Sequence, residues 1–120
     1  MTLTRYTFKG EGIFHTLHKA FDEVDMSYPD EQELFDAEEA FERDLEVPDI
    51  YNASAVENTA WFTEEGVAWF KDALESLCYL AEIYLGEKIQ IRKIDYQGEF
   101  LYQDYNQAII PNKEAAAWGI

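Results

Sequence analysis

The sequence predicts an α+β domain in which a small antiparallel sheet packs against a long central helix, with two further helices, in the order β-α-α-α-β-β. Three observations predict it. Apolar residues recur at steps of three and four through three separate stretches, the mark of buried helix faces. Alternation at a step of two is confined to the two ends of the chain. Of the 120 residues 48% are apolar and 16% aromatic, proportions of a folded chain rather than a disordered acidic one, and the length suits a single domain over residues 1–120.

Leu3 to Phe8 alternates aromatic and β-branched residues with others and reads as a strand ended by Gly10 and Gly12. From Ile13 the period changes: Ile13, Leu17, Ala20 or Phe21, and Val24 mark one helix face. Ser27, Tyr28 and Pro29 break that helix, and Asp30 caps a second over Glu31 to Leu45, with Leu34, Ala37, Phe41 and Leu45 as its buried face. Pro48 stops it, and Asp49 to Ala60 reads as a loop with a short helical turn around Ala53 to Glu57. Thr63 caps a third helix, Glu64 and Glu65 stand in its first turn, and an apolar stripe from Val67 through Phe70, Leu74 and Leu77 to Tyr84 runs to Gly86 at the C-terminal cap. Such a helix spans about 33 Å. Lys88 to Ile94 alternates, with Ile89 and Ile91 sharing a face. A Tyr96-Gln97-Gly98 turn joins it to Glu99 to Ile110 as an antiparallel hairpin, and Ala115 to Trp118 form a closing turn.

The apolar runs are too short for a membrane span, and the first residues lack the layout of a signal peptide. With Cys78 as the single cysteine, a reducing cytoplasm is expected and no disulfide. Charge is the outlier. The net charge is −16, against a magnitude of about 2 to 8 for an ordinary small domain. Direct binding to DNA, RNA or an anionic membrane is excluded for the bulk surface, because those partners carry the same sign. The charge is also concentrated: Asp22 to Asp49 holds 13 acidic residues and one basic residue, Arg43.

Glu11, His15 and His18 have helical spacing that suits metal ligands, but no second cluster of ligand types closes such a site, so the histidines read as solvent-facing or capping and no metal or cofactor is expected. Cys78 lies mid-helix between Leu77 and Leu80 without a visible base and reads as a buried small residue. Trp61, Phe62 and Phe70 read as core, leaving Trp69 as the aromatic most able to stay exposed. Arg5, the Trp61-Phe62-Thr63 run and a late Glu99, Asp104 or Gln107 resemble the three-part site of small ADP-ribosyltransferases, which implies an enzyme using a nicotinamide cofactor. The alternative binding class is an acidic adaptor or immunity-type protein.

The acidic segment has two readings: a solvated helix face, or an imitation of nucleic acid. Phosphates of one strand lie about 3.4 Å apart along the duplex axis. Carboxylates three or four residues apart on a helix rise by about 4.5 to 6 Å, close enough for long side chains to meet cations arranged for phosphates. In size, net charge and acidic helical segment the chain resembles the anti-CRISPR and anti-restriction proteins of phages and mobile elements, and the opening Met1-Thr2-Leu3-Thr4-Arg5 is similar to that of one of them. The resemblance implies a non-catalytic DNA mimic that evades host defence in the host cytoplasm by occupying a basic nucleic-acid-binding protein, a CRISPR effector or restriction nuclease. The candidate partner-binding residues are Asp22, Glu23, Asp25, Asp30, Glu33, Asp36, Glu39, Glu42, Glu46 and Asp49.

Overall fold

A computed structural model of the chain describes residues 1–48 and 57–112, with His15 lacking a described side chain. The fold is α+β. Its elements are β1 (Thr2–Phe8), β2 (Glu11–Gly12), α1 (Ile13–Phe21), α2 (Tyr28–Asp44), β3 (Asn58–Thr63), α3 (Glu64–Trp69), α4 (Lys71–Leu80), a π-helical turn (Ala81–Leu85), β4 (Gln90–Asp95), β5 (Tyr102–Gln103) and β6 (Gln107–Pro111). The strands form an antiparallel six-stranded sheet in the order β2-β1-β3-β6-β5, with β4 paired to β1. By contacts the chain divides into two compact units: Met1–Arg5, Leu45–Trp69 and Arg92–Ile120 make the first, Tyr6–Asp44 and Phe70–Ile91 the second.

The first unit is built on β3 as an inner strand. Leu3 of β1 lies opposite Thr63, and on the other side β3 runs in register with β6 from Asn58↔Pro111 to Phe62↔Gln107. Its core gathers Leu3, Trp61, Tyr96, Ala108 and Ile110, with Ile94 and Phe100 packed against it. Residues 58–60 belong to this strand, not to a loop: pairing with β6 along Asn58, Thr59 and Ala60 overrides a sequence without alternation. The hairpin also differs from the expectation. Tyr96 to Gly98 follows β4 but does not turn it into a hairpin with the next strand, since β4 pairs with β1 and β5 with β6. The reversal lies between β5 and β6, where the Asp104 carboxylate accepts the Asn106 and Gln107 amides at 2.8 and 2.9 Å, an Asx-type turn.

Thr63 is the cap the sequence predicts, its hydroxyl accepting the Gly66 amide at 3.0 Å. The same hydroxyl donates to the Tyr105 carbonyl at 2.6 Å, and the Thr63 amide donates to the Asn106 carbonyl at 3.1 Å. Gly66 is required by this closeness, because a Cβ there would stand 2.0 Å from the Asn106 carbonyl oxygen.

The second unit starts from a tight reversal at Lys9 and Gly10, both with positive φ (53° and 82°), the backbone of a two-residue turn between the paired Phe8 and Glu11. In α1 the predicted face is buried: Ile13 and Leu17 are each 2% exposed and Phe21 5%. The second helix begins at Tyr28, two residues ahead of the predicted Asp30 cap. Proline is tolerated in a first helical turn, where its missing N–H would have no partner. Ser27 precedes the helix, its hydroxyl donating to the Asp30 carboxylate at 3.0 Å and its carbonyl accepting the Glu31 amide at 2.9 Å. Tyr84 also donates to Asp30. Ala37 and Phe41 are buried as expected, and Phe41 stacks on Phe70 at 4.9 Å.

The stretch expected as one long helix is helical but in three pieces. It is interrupted at Phe70 (φ −97°, ψ 17°), and its last turn widens to π geometry before Gly86 takes the left-handed cap at φ 70°. The longest helix is α2, with 17 residues. Ile89 and Ile91 do not share the expected environment: Ile89, just ahead of β4, is 8% exposed and Ile91, within it, 56%. The helical turn around Ala53 and the closing turn at Ala115 to Trp118 lie outside the described residues. Among the described residues no helix is long and apolar enough to cross a membrane.

Candidate functional site

Eight of the ten predicted partner-binding residues, Asp22, Glu23, Asp25, Asp30, Glu33, Asp36, Glu39 and Glu42, belong to the second unit. Glu46 belongs to the first unit, and Asp49 lies outside the described residues. The eight do not act alike. Asp30 and Glu33 are half-buried, and Asp30 accepts from Ser27 and Tyr84, which makes it part of the start of α2 rather than a free surface charge. Asp22, Glu23 and Asp25 are exposed in the segment between α1 and α2.

Asp36, Glu39 and Glu42 are exposed at steps of three along α2, so they climb its outer side by about 4.5 Å a step. The cation of this segment is committed first to another carboxylate. The Arg43 guanidinium grips neighbouring Asp44 with both Nε and Nη2, at 3.1 and 3.0 Å, and that carboxylate raises its pKa further. Among the described residues none of Asp36, Glu39 and Glu42 makes an ion pair, although Gln32 donates to Asp36 at 3.0 Å.

Two aromatic residues that the sequence reading left out stand on the same helix. Tyr28 is 77% and Phe35 59% exposed. They are seven residues apart, two helical turns, so they share the face that also carries Glu31, Glu39 and Glu42. The signal was in the sequence. A buried stripe of Leu34, Ala37 and Phe41 leaves Phe35 on the opposite arc, yet its place beside Leu34 makes it read as part of an apolar pair. Trp69 is 59% exposed, as expected, and meets the exposed Tyr105 ring edge-on at 6.5 Å in the first unit.

His18 of α1 reaches across to α2, its Nδ1 lying 2.8 Å from Glu38 Oε2 while Nε2 is 3.8 Å from Asp22. The hydrogen bond to Glu38, then the Glu38 and Asp22 charges, raise its pKa. Glu11 accepts instead from Thr16 at 2.9 Å, and His15 has no described side chain. Among the described residues no group of three or more His, Cys, Asp or Glu is placed to hold a metal ion.

Of the residues of the transferase resemblance, Thr63, Asp104 and Gln107 are engaged within the fold, while Arg5 is half-buried and Glu99 exposed. Thr63 caps α3, Asp104 closes the β5–β6 turn and accepts from Tyr102 at 2.8 Å, and the Gln107 amide donates to the Glu46 carbonyl. Cys78 is half-buried, and burial first, then Glu75 and Glu82, push its thiol up. That is the opposite of what a nucleophilic cysteine needs. Compared with protein-family models, curated proteins and solved structures, the chain shows no match.

Proposed function

We propose that this protein is a non-catalytic inhibitor that binds a basic nucleic-acid-binding protein of host defence, a CRISPR effector or restriction nuclease, and blocks its access to DNA by acidic mimicry. The observation that carries the reading is the exposed ladder of Asp36, Glu39 and Glu42, none of them in an ion pair among the described residues, beside an Arg43 already gripped by Asp44. A helix face built only for solubility gains from mixed signs, because like carboxylates repel. Keeping one sign costs stability, and a cationic groove would repay that cost on binding. The aromatic rings of Tyr28 and Phe35 add apolar contact area where charges alone give mainly speed of encounter. The site of action is the cytoplasm, where such nucleases meet DNA.

The test uses purified CRISPR effectors and restriction nucleases with labelled duplex DNA. Protein added before DNA is expected to prevent DNA binding, DNA added first to protect the nuclease, and the effect to weaken from about 50 to 200 mM salt as screening grows. Indifference of every nuclease in the panel, together with stabilisation of the protein by a nicotinamide dinucleotide, would favour the enzyme reading instead.

A further inference from the structure

Between α1 and α2, within the second unit, lies an open cavity of about 380 Å³. Its floor is apolar: Leu17, Phe41 and Leu77 are between 2% and 6% exposed. Phe14, 45% exposed and edge-on to Phe41 at 4.9 Å, forms one lip, and half-buried Leu34 lines the α2 side. The rim is polar and its net sign is negative, since Glu38 and Glu42 line the cavity and His18 is matched to Glu38. A volume in this range holds a few apolar side chains. An anionic amphiphile would meet the carboxylates of α2 on entry. A basic segment would meet opposite charge, so charge complementarity selects the occupant.

We infer that the α1–α2 groove takes the apolar side chains of a basic amphipathic segment of the partner protein, with the lysines and arginines of that segment lying on Glu38, Glu42 and the outer carboxylates of α2. The inference rests on the proposed binding of a basic protein and adds the part that gives selectivity. Charge brings any cationic surface to α2, while the groove retains one that carries apolar side chains at helical spacing. His18 belongs to the rim: its bond to Glu38 ties the two helices together beside the opening.

The test uses two synthetic helical peptides of about 18 residues with equal lysine content. One carries leucines along one face, the other serines at those positions, and a glutamate–leucine peptide serves as the sign control. By fluorescence anisotropy at near-physiological salt, the lysine–leucine peptide is expected to bind at least about ten-fold more tightly than the lysine–serine peptide, and the glutamate–leucine peptide not to bind. Leu34→Trp, which fills the groove, and Phe14→Ala, which removes its lip, should each erase most of that difference and leave the lysine–serine affinity unchanged. Amide shifts on adding the lysine–leucine peptide should map to α1 and α2. Equal affinity for both lysine peptides, two groove variants that bind like the native chain, or shifts centred on Trp69 and Tyr105 would each overturn the inference. Failure of the underlying reading looks different: replacing Asp36, Glu39 and Glu42 by lysine would then leave both lysine peptides bound as before.

Discussion

The corner at Thr63 and the outer face of α2 are both crowded with polar side chains, and the chain uses them in opposite ways. At the corner the Thr63 and Asp104 side chains are answered from within. The Thr63 hydroxyl both accepts and donates, and the Asp104 carboxylate takes two amides and the Tyr102 hydroxyl. On α2, Asp36, Glu39 and Glu42 stand in solvent beside Tyr28 and Phe35, and the neighbouring guanidinium is held elsewhere. Buried polar groups that satisfy one another define a fold. Exposed groups of one sign, outside any ion pair among the described residues and interleaved with aromatic rings, add little to folding and are open to a partner.

Substitutions should separate the two regions cleanly. The largest loss of stability is expected for Gly66→Ala, because its Cβ would meet backbone, not a flexible side chain, at 2.0 Å. About 3 kcal/mol is anticipated by denaturant unfolding. Thr63→Ala removes a helix cap and the bond to Tyr105, and should cost about 1 to 2 kcal/mol by the same measurement, with Thr63→Ser recovering most of it. Tyr102 comes next. Its hydrogen bond to Asp104, then desolvation and the Asp104 charge, push its pKa up to about 12 from 10.0. A folded pKa raised in this way means a contribution fully present below pH 10 that disappears as pH climbs toward 12. Burial also raises the pKa of Tyr6, so tyrosinate absorbance during a base titration should show a late-titrating component that shrinks by one tyrosine in Tyr102→Phe. The smallest change is expected on α2: Phe35→Ala should alter stability by about 0.5 kcal/mol or less, while weakening capture of the proposed basic partner. A large stability loss at Phe35 would place that ring in the fold and erase the contrast.

His18 sharpens the comparison from a third side. Its pKa is raised by Glu38, so the charged link between α1 and α2 is complete below the ordinary histidine range and is lost as pH rises through the folded value. The side chain is 62% exposed, so solvent screening keeps the effect on stability small. His18→Gln should flatten the pH dependence of unfolding between about pH 6 and 8.

Much of this was legible in the residues. The steps of Ile13, Leu17 and Phe21, the Thr63 cap and Gly86 at the left-handed cap follow from periodicity and capping chemistry alone. What escaped depended on tertiary partners. Residues 58–60 carry no alternation and become strand because β6 pairs along them. Tyr96 to Gly98 looks like a turn, yet the hairpin reverses at Asp104, whose side chain supplies the amide acceptors. Pro29 reads as a breaker because its permissive place in a first turn shows only once Ser27 is seen to bond Asp30. The acidic segment was visible as composition; its division into inward Asp30 and Glu33 and outward Asp36, Glu39 and Glu42 needed the helix phase set by Ala37 and Phe41.

The most direct test replaces Asp36, Glu39 and Glu42 by lysine and measures two quantities on the same protein: the unfolding midpoint, and inhibition of DNA binding by a nuclease that the native chain inhibits. An outward-directed face predicts a midpoint unchanged or raised, because self-repulsion falls, with inhibition lost at low salt. Inhibition equal to that of the native chain would show that α2 presents only a solvated surface.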